Sequence, residues 1–128
     1  MKKSIFIVLA ALSVTFPVSV SASETRCGWY YKHDGTSQTL LSLTDSQYRW
    51  HIKGHRSGFQ AEGQNNLPSF AGKEYIKRQW SGGLSIYACV CLEVETDKSR
   101  KFITMIYGGE VLPLSTCDKD TNLPEKPY

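Results

Sequence analysis

The chain has 128 residues, of which 21% are charged, and a formal net charge of +3 at pH 7. This small excess of positive charge does not favour nucleic acid or an anionic membrane surface as a partner. Four cysteines form an even set in a chain this short, which is typical of a disulfide-bonded exported domain.

The first 22 residues have the pattern of a secretory signal peptide. Lys2 and Lys3 form a basic start, an apolar run follows, and Val20-Ser21-Ala22 supplies the small residues that a signal peptidase recognises. We therefore expect cleavage after Ala22 and one mature domain, residues 23–128, in the periplasm or secreted. Without the two lysines this domain has 13 basic and 12 acidic residues, so its charge is close to neutral.

The mature chain is predicted to be a series of short strands joined by turns. The strands cover residues 27–31, 39–43, 48–52, 74–80, 85–95 and 101–107. Turn-forming residues separate them, with His33-Asp34-Gly35 expected to form the turn after the first strand, and glycines at 108–109 are expected to end the last strand. Residues 53–67 are predicted to be a loop. The fold class is therefore mainly β, an antiparallel meander forming a small barrel or sandwich, with at most one or two helical turns and two disulfides.

The strand at residues 85–95 limits how the cysteines can pair. Its side chains alternate, so Ile86, Ala88, Val90, Leu92 and Val94 share one face, while Tyr87, Cys89, Cys91, Glu93 and Glu95 share the other. Cys89 and Cys91 then lie about 7 Å apart, too far to bond easily to each other. Each is expected to pair with Cys27 or Cys117, in either combination. Residues 24–26 lack the small apolar character of a lipidation site, so no anchor at Cys27 is expected.

Several short motifs resemble a known family. They are Arg26-Cys27-Gly28-Trp29, Gly58-Phe59-Gln60-Ala61-Glu62-Gly63, Tyr87-Ala88-Cys89-Val90-Cys91-Leu92 and Pro113-Leu114-Ser115-Thr116-Cys117, followed by Leu123-Pro124. Together they make the chain similar to the bacterial exported family catalogued as domain of unknown function 4087, which is marked by an Arg-Cys-Gly-Trp motif. The chain departs from the family pattern between Lys32 and Gln38. The resemblance implies export and disulfides, and it supplies no enzyme activity.

The sequence gives only weak evidence for catalytic or metal-binding residues. His51 and His55 have the spacing of a zinc-protease pair, but the glutamate is missing and Gly54 opposes a helix. Glu93 and Glu95 have the pattern of a solvated strand face rather than that of a glycosidase pair. The cysteines have neither the usual spacing of zinc ligands nor a spare thiol. We expect a protein that is not an enzyme and that has no metal or cofactor.

Aromatic and basic residues supply the candidate binding sites. The glycine-flanked loop at residues 53–59 offers His55, Arg56 and Phe59, which are expected to project and to be able to enter a cleft. Trp50 and Trp80 are expected to be exposed and able to stack on sugar rings. The first expectation is a non-enzymatic periplasmic binding protein that inhibits, or gives immunity against, a cell-wall-targeting enzyme or toxin. The alternative is a peptidoglycan- or glycan-binding module.

Overall fold

The computed structural model describes residues 10–13, 23–35, 38–54 and 58–128. The predicted signal peptide lies outside this part of the chain, apart from residues 10–13. The elements in chain order are β1 (Glu24–Gly35), β2 (Thr39–Thr44), β3 (Arg49–Lys53), a 3₁₀ turn (Gln64–Asn66), β4 (Ile76–Trp80), β5 (Gly83–Asp97), β6 (Phe102–Leu112) and α1 (Leu114–Asp118). None of the helices in the described ranges has the length and apolar character that a membrane crossing requires.

The six strands form one sheet that closes into a ring. Their order is β1-β2-β3-β6-β5-β4, and β1 also pairs with β5 along its whole length. The other edge of β5 is shared, because β4 pairs with its first residues and β6 with the rest. β5 therefore lies between β1 on one edge and β4 and β6 on the other. The predicted mainly β barrel with little helix is confirmed.

The barrel interior is an apolar core built by alternation along the strands. The large side chains with the least exposure are Leu43, Trp50, Ile52, Val90, Leu92, Val94, Ile103 and Ile106. The shared face predicted for β5 points into the barrel: Ala88 and the three β5 residues in this set have no exposed surface, and Ile86 is half-buried. The register is strongly specified because a slip by one residue would turn this apolar face towards water.

Two strands extend into segments that were expected to be a turn or a break. β1 runs through His33-Asp34-Gly35 because this segment pairs with β5 as far as Gly83. β6 runs through Gly108 and Gly109, so the predicted break there is wrong. A Cβ atom at position 109 would lie 2.6 Å from the carbonyl oxygen of Cys91. Glycine is needed there for close approach of two strands, not for a turn.

Two disulfides fasten other parts of the chain to β5. Cys27 on β1 bonds to Cys91, with Cα atoms 4.0 Å apart, and Cys89 bonds to Cys117 of α1, with Cα atoms 5.7 Å apart. The prediction that Cys89 and Cys91 have different partners is confirmed, and the structure decides between the two remaining pairings. Two disulfides are compatible with an exported protein.

Candidate binding surface

The outer face of β1 and β5 carries a continuous row of aromatic rings. Alternation places Trp29, Tyr31 and His33 on this face, and Tyr31 lies directly opposite Tyr87 of β5. The ring centroids are 5.1 Å apart for Tyr87 and Tyr31, 6.3 Å for Tyr31 and His33, and 5.4 Å for His33 and Trp80. We call these four rings, Tyr87, Tyr31, His33 and Trp80, the outer aromatic row.

Stacking and a buried serine hold the row in place. Ser85 has no exposed surface, and its Oγ lies 3.0 Å from Nδ1 of His33 and 3.5 Å from the hydroxyl oxygen of Tyr31. The His33 ring is nearly parallel to both neighbours, at 14° to Tyr31 and 18° to Trp80. Trp80, at the end of the row, is 47% exposed. The row is therefore a fixed ridge with an accessible end.

Two arginines flank the outer aromatic row. The guanidinium carbon of Arg49 lies 5.7 Å from the centroid of Tyr31. Arg78 is exposed and pairs with Ser85, so it shares the outer face with Trp80. Trp, Tyr and Arg are the residue types that contribute most to binding free energy at protein interfaces. The composition of this face suits it to binding another molecule.

The residues that follow β6 cover the other end of this face. The disulfide of α1 fixes the helix to β5, and Leu123 and Tyr128 pack against Trp29. The Tyr128 ring meets Trp29 edge-on at 5.8 Å and lies 5.6 Å from Tyr87. Trp29 is left 2% exposed. The covered part of the outer face thus ends where the outer aromatic row begins.

Trp50 is buried, so the expectation that it is exposed and able to stack on a sugar is wrong. Alternation on β3 turns both Trp50 and Ile52 into the barrel, where neither has exposed surface. The indole Nε1 donates a hydrogen bond to Oδ2 of Asp45 at 2.9 Å, and the Arg26 guanidinium lies 4.0 Å from the ring centroid. Trp80, by contrast, is exposed as expected.

Asp45 connects the turn after β2 to the barrel. Its Oδ2 also accepts a hydrogen bond from Nη1 of Arg26 at 2.7 Å, and its Oδ1 accepts bonds from the backbone N–H groups of Gln47 and Tyr48, both at 2.8 Å. Burial alone would raise the pKa of this carboxyl. The four donors together outweigh burial and lower the pKa of Asp45, so the folded protein favours its charged form.

The predicted binding loop is only partly described, because His55 and Arg56 lie outside the described residues. Phe59 is half-buried, its ring lies 4.2 Å from that of Phe102 at 11°, and it packs against the core. The expectation that Phe59 projects as the tip of the loop is therefore wrong. Stacking on the barrel removes more apolar surface from water than projection would.

Phe59→Ala is expected to lower the free energy of unfolding by about 2 kcal/mol, because a partly buried ring and its stacking partner are separated. Urea denaturation measures the change. Tyr107→Ala is the control, since Tyr107 is 48% exposed and also aromatic; it should change stability by less than about 0.5 kcal/mol. An unchanged urea midpoint for Phe59→Ala would place its ring away from the barrel.

The candidate catalytic residues that the structure describes each contact a different side chain, and His55 lies outside the described residues. Glu93 accepts a hydrogen bond from the hydroxyl of Thr25, and Glu95 accepts one from the hydroxyl of Tyr107 at 2.8 Å. His51 lies against Phe102, with centroids 6.1 Å apart. Among the residues that the structure describes, no group of three or more His, Cys, Asp or Glu side chains is placed to hold a metal ion.

One comparison with known proteins finds a match. The family model described as "Protein of unknown function (DUF4087)" matches residues 21–124, which is most of the chain. The chain belongs to this family. Searches of curated proteins and of solved structures each return no match. The family resemblance of the sequence is thereby confirmed.

In this DUF4087 protein, each residue of Arg26-Cys27-Gly28-Trp29 has a structural role. Arg26 bonds to Asp45, Cys27 forms a disulfide, and Trp29 packs beneath the residues after β6. A Cβ atom at position 28 would lie 2.0 Å from the carbonyl oxygen of Thr44, so only glycine fits. The motif therefore builds the framework that presents the outer aromatic row.

The sequence did not single out Tyr31, His33 and Tyr87 as one surface. One signal was available, because Trp29, Tyr31 and His33 are spaced by two residues, the period of a strand face. This spacing did not predict a shared face, because residues 33–35 were expected to be a turn and not part of the strand. The contribution of Tyr87 depends on the register between β1 and β5, which alternation within one strand cannot give.

Proposed function

We propose that this protein is a non-enzymatic binding protein of the periplasm. Its partner is a cell-wall-targeting enzyme or toxin, which it inhibits or against which it gives immunity. The outer aromatic row forms the centre of the contact, in place of the loop at residues 53–59. The observation that carries the proposal is the exposed Trp80 stacked on a row of rings that the barrel holds fixed.

The rigidity of the row supports tight binding. His33 is held between two rings and hydrogen-bonded to the buried Ser85, so little side-chain freedom is left to lose on association. Ordering a flexible side chain at an interface costs about 0.5–1.5 kcal/mol, and this cost is largely avoided here. Arg49 and Arg78 add donors for carboxylates at the edge of the surface.

Export supports the choice of partner. Two disulfides join four cysteines on three elements, which suits an oxidising compartment. The predicted signal peptide gives the same destination. A periplasmic binding protein meets the enzymes and toxins that act on the cell wall.

Trp80→Ala is expected to weaken partner binding at least about thirtyfold, which corresponds to about 2 kcal/mol for a hot-spot residue. Tagged mature protein would be used to capture partners from periplasmic extract and from toxins secreted by rival strains, and affinity would be measured on the captured protein. Tyr107→Ala is the matched control, since the two rings are 47% and 48% exposed and Tyr107 lies beside Phe59.

The two variants distinguish the two surfaces. Loss of binding by Tyr107→Ala with full binding by a folded Trp80→Ala would move the contact to the side of the loop. Capture of no partner by the wild-type protein would contradict the proposal.

Glycan binding is the second candidate, and the near-parallel stacking of His33 on Trp80 favours it. Flat exposed rings pack well on the apolar C–H face of a pyranose. The mature protein would be sedimented with purified peptidoglycan sacculi, without added protein. Sedimentation with bare sacculi supports this function, and a protein that stays in the supernatant contradicts it.

A further inference from the structure

A cavity of about 460 Å³ opens on the outer face beside the outer aromatic row. Its floor comes from four strands. On β1 and β2, cross-strand pairing places Trp29 opposite Thr44 and Tyr31 opposite Ser42. Arg49 of β3 and Tyr87 of β5 complete the floor, and residues 124, 125 and 127 form a wall. The volume is within the range of small-molecule sites in proteins.

Two buried polar atoms at this cavity have no hydrogen-bond partner in the described part of the chain. They are Nε1 of Trp29 and Oγ of Ser42, on side chains of residues that are 2% and 3% exposed. A buried polar group without a partner costs free energy. The indole N–H is a donor only, and the serine hydroxyl can donate as well. Acceptor oxygens of a ligand would supply the bonds that these two groups lack.

The remaining lining suits a neutral ligand with a flat apolar face. Arg49 and Glu125 put opposite charges at the cavity, which together match hydroxyl groups that both donate and accept. Tyr31 and Tyr87 supply ring surface, with centroids 5.1 Å apart and planes at 32°. A pyranose has these properties: hydroxyls around its rim and an apolar C–H face.

We propose that this cavity binds a pyranose that carries an acetamido group, the sugar type of N-acetylated cell-wall glycan. The acetamido carbonyl accepts hydrogen bonds from Nε1 of Trp29 and the hydroxyl of Ser42. The sugar ring packs on Tyr31 and Tyr87, and its hydroxyls bond to Arg49 and Glu125. The proposal rests on the second candidate function, glycan binding, and not on the protein partner.

The test is a titration of isotope-labelled protein with triacetylchitotriose, observed through the indole N–H signals of its tryptophans. Saturable movement of the Trp29 signal is expected, with no movement of the Trp50 signal, because the Trp50 indole is bonded to Asp45 inside the barrel. The glucose trimer cellotriose, which is also neutral and has a hydroxyl in place of each acetamido group, is the matched ligand control and should leave the Trp29 signal in place.

Two variants test the contacts separately. Ser42→Ala removes an unpartnered hydroxyl, so it should keep the stability of the protein and weaken triacetylchitotriose binding about fivefold. Trp29→Phe keeps an aromatic ring, loses the N–H and should bind more weakly to a similar extent; its folding would be checked by its urea midpoint.

The outcomes distinguish failure of the proposed site from failure of glycan binding as the function. A fixed Trp29 signal, or equal response to cellotriose, overturns the proposed site. If the sacculi still sediment the protein, glycan binding stands and this cavity is not where it occurs. Movement of the Trp29 signal with a Pro-x-x-Pro peptide and not with sugar would make the cavity a peptide site and overturn the proposal.

Discussion

Asp45→Asn is expected to lower the free energy of unfolding by about 2–3 kcal/mol, because the guanidinium of Arg26 loses its buried carboxylate partner and keeps only Glu24, at 3.0 Å, whose side chain is 36% exposed. Arg26 and Asp45 have side chains that are 10% and 8% exposed, so water does little to replace the lost carboxylate. Trp50 also loses a charged acceptor. Urea denaturation at neutral pH measures the change.

Two further variants distinguish the loss of the ion pair from a nonspecific effect of the substitution on stability. Asp118→Asn removes the partner of Lys126 at 3.6 Å, where the side chains are 29% and 55% exposed, and should cost less than about 1 kcal/mol. Arg26→Met added to Asp45→Asn should recover part of the loss, because the largely buried guanidinium that has lost one of its two carboxylate partners is then removed. Equal losses for Asp45→Asn and Asp118→Asn would contradict the role given to Asp45.

The same variant should change the dependence of stability on acid. The pKa of Asp45 is lower in the folded state than its ordinary value, so folding favours the ionised form. This contribution is complete above the ordinary pKa and is lost as pH falls through the folded-state pKa. The wild-type protein should therefore lose more stability between neutral pH and strong acid than Asp45→Asn does.

Loss of either disulfide is also expected to lower the free energy of unfolding by a large amount. The bond between Cys27 and Cys91 spans 64 positions of sequence and that between Cys89 and Cys117 spans 28. Loop-closure entropy gives about 4 kcal/mol for the first and about 3.5 kcal/mol for the second. Replacing each pair by alanine, which leaves no free thiol in that pair, should reduce the free energy of unfolding by about these amounts under oxidising conditions.

The two pairs should differ in what else they change. Without Cys89–Cys117, α1 and the residues after it are no longer tied to β5, so Trp29 should gain exposure and its fluorescence should move to longer wavelength. Without Cys27–Cys91, Trp29 stays covered. Either double variant with wild-type stability under oxidising conditions would show that its disulfide does not form.

Alternation along single strands made part of the fold predictable from the sequence. The inward face of β5 and the different partners of Cys89 and Cys91 followed from a period of two residues. The choice between the two remaining pairings did not, because it depends on which strand lies beside β5. In the structure β1 places Cys27 directly opposite Cys91.

Glycine was the least reliable signal. At positions 108 and 109 it was expected to end a strand, but β6 continues to Leu112. A Cβ atom at position 109 would meet the carbonyl oxygen of Cys91, so the residue serves strand contact. Glycine is required both where two strands approach each other closely and where the chain turns. The neighbouring strand distinguishes the two cases, and it is distant in sequence.

The candidate site was less predictable than the fold. Trp80 was predicted to be exposed, but Trp50 was placed on the surface with it, and the buried acceptor Asp45 gave no local signal for its burial. The outer aromatic row comes from three strands, so its rings become neighbours only through register. That the protein is not an enzyme, and which partner it has, stay predictions.

We propose the outer aromatic row as the binding surface of the protein. The most direct measurement is the indole N–H spectrum of isotope-labelled protein during titration with its captured partner, since the chain has three tryptophans. We predict that the Trp80 signal moves while the Trp50 signal, bonded to Asp45, does not. A Trp80 signal that stays in place while the backbone N–H signals of Phe59 and Tyr107, recorded in the same titration, change would contradict the proposal and move the contact to the loop side of the barrel.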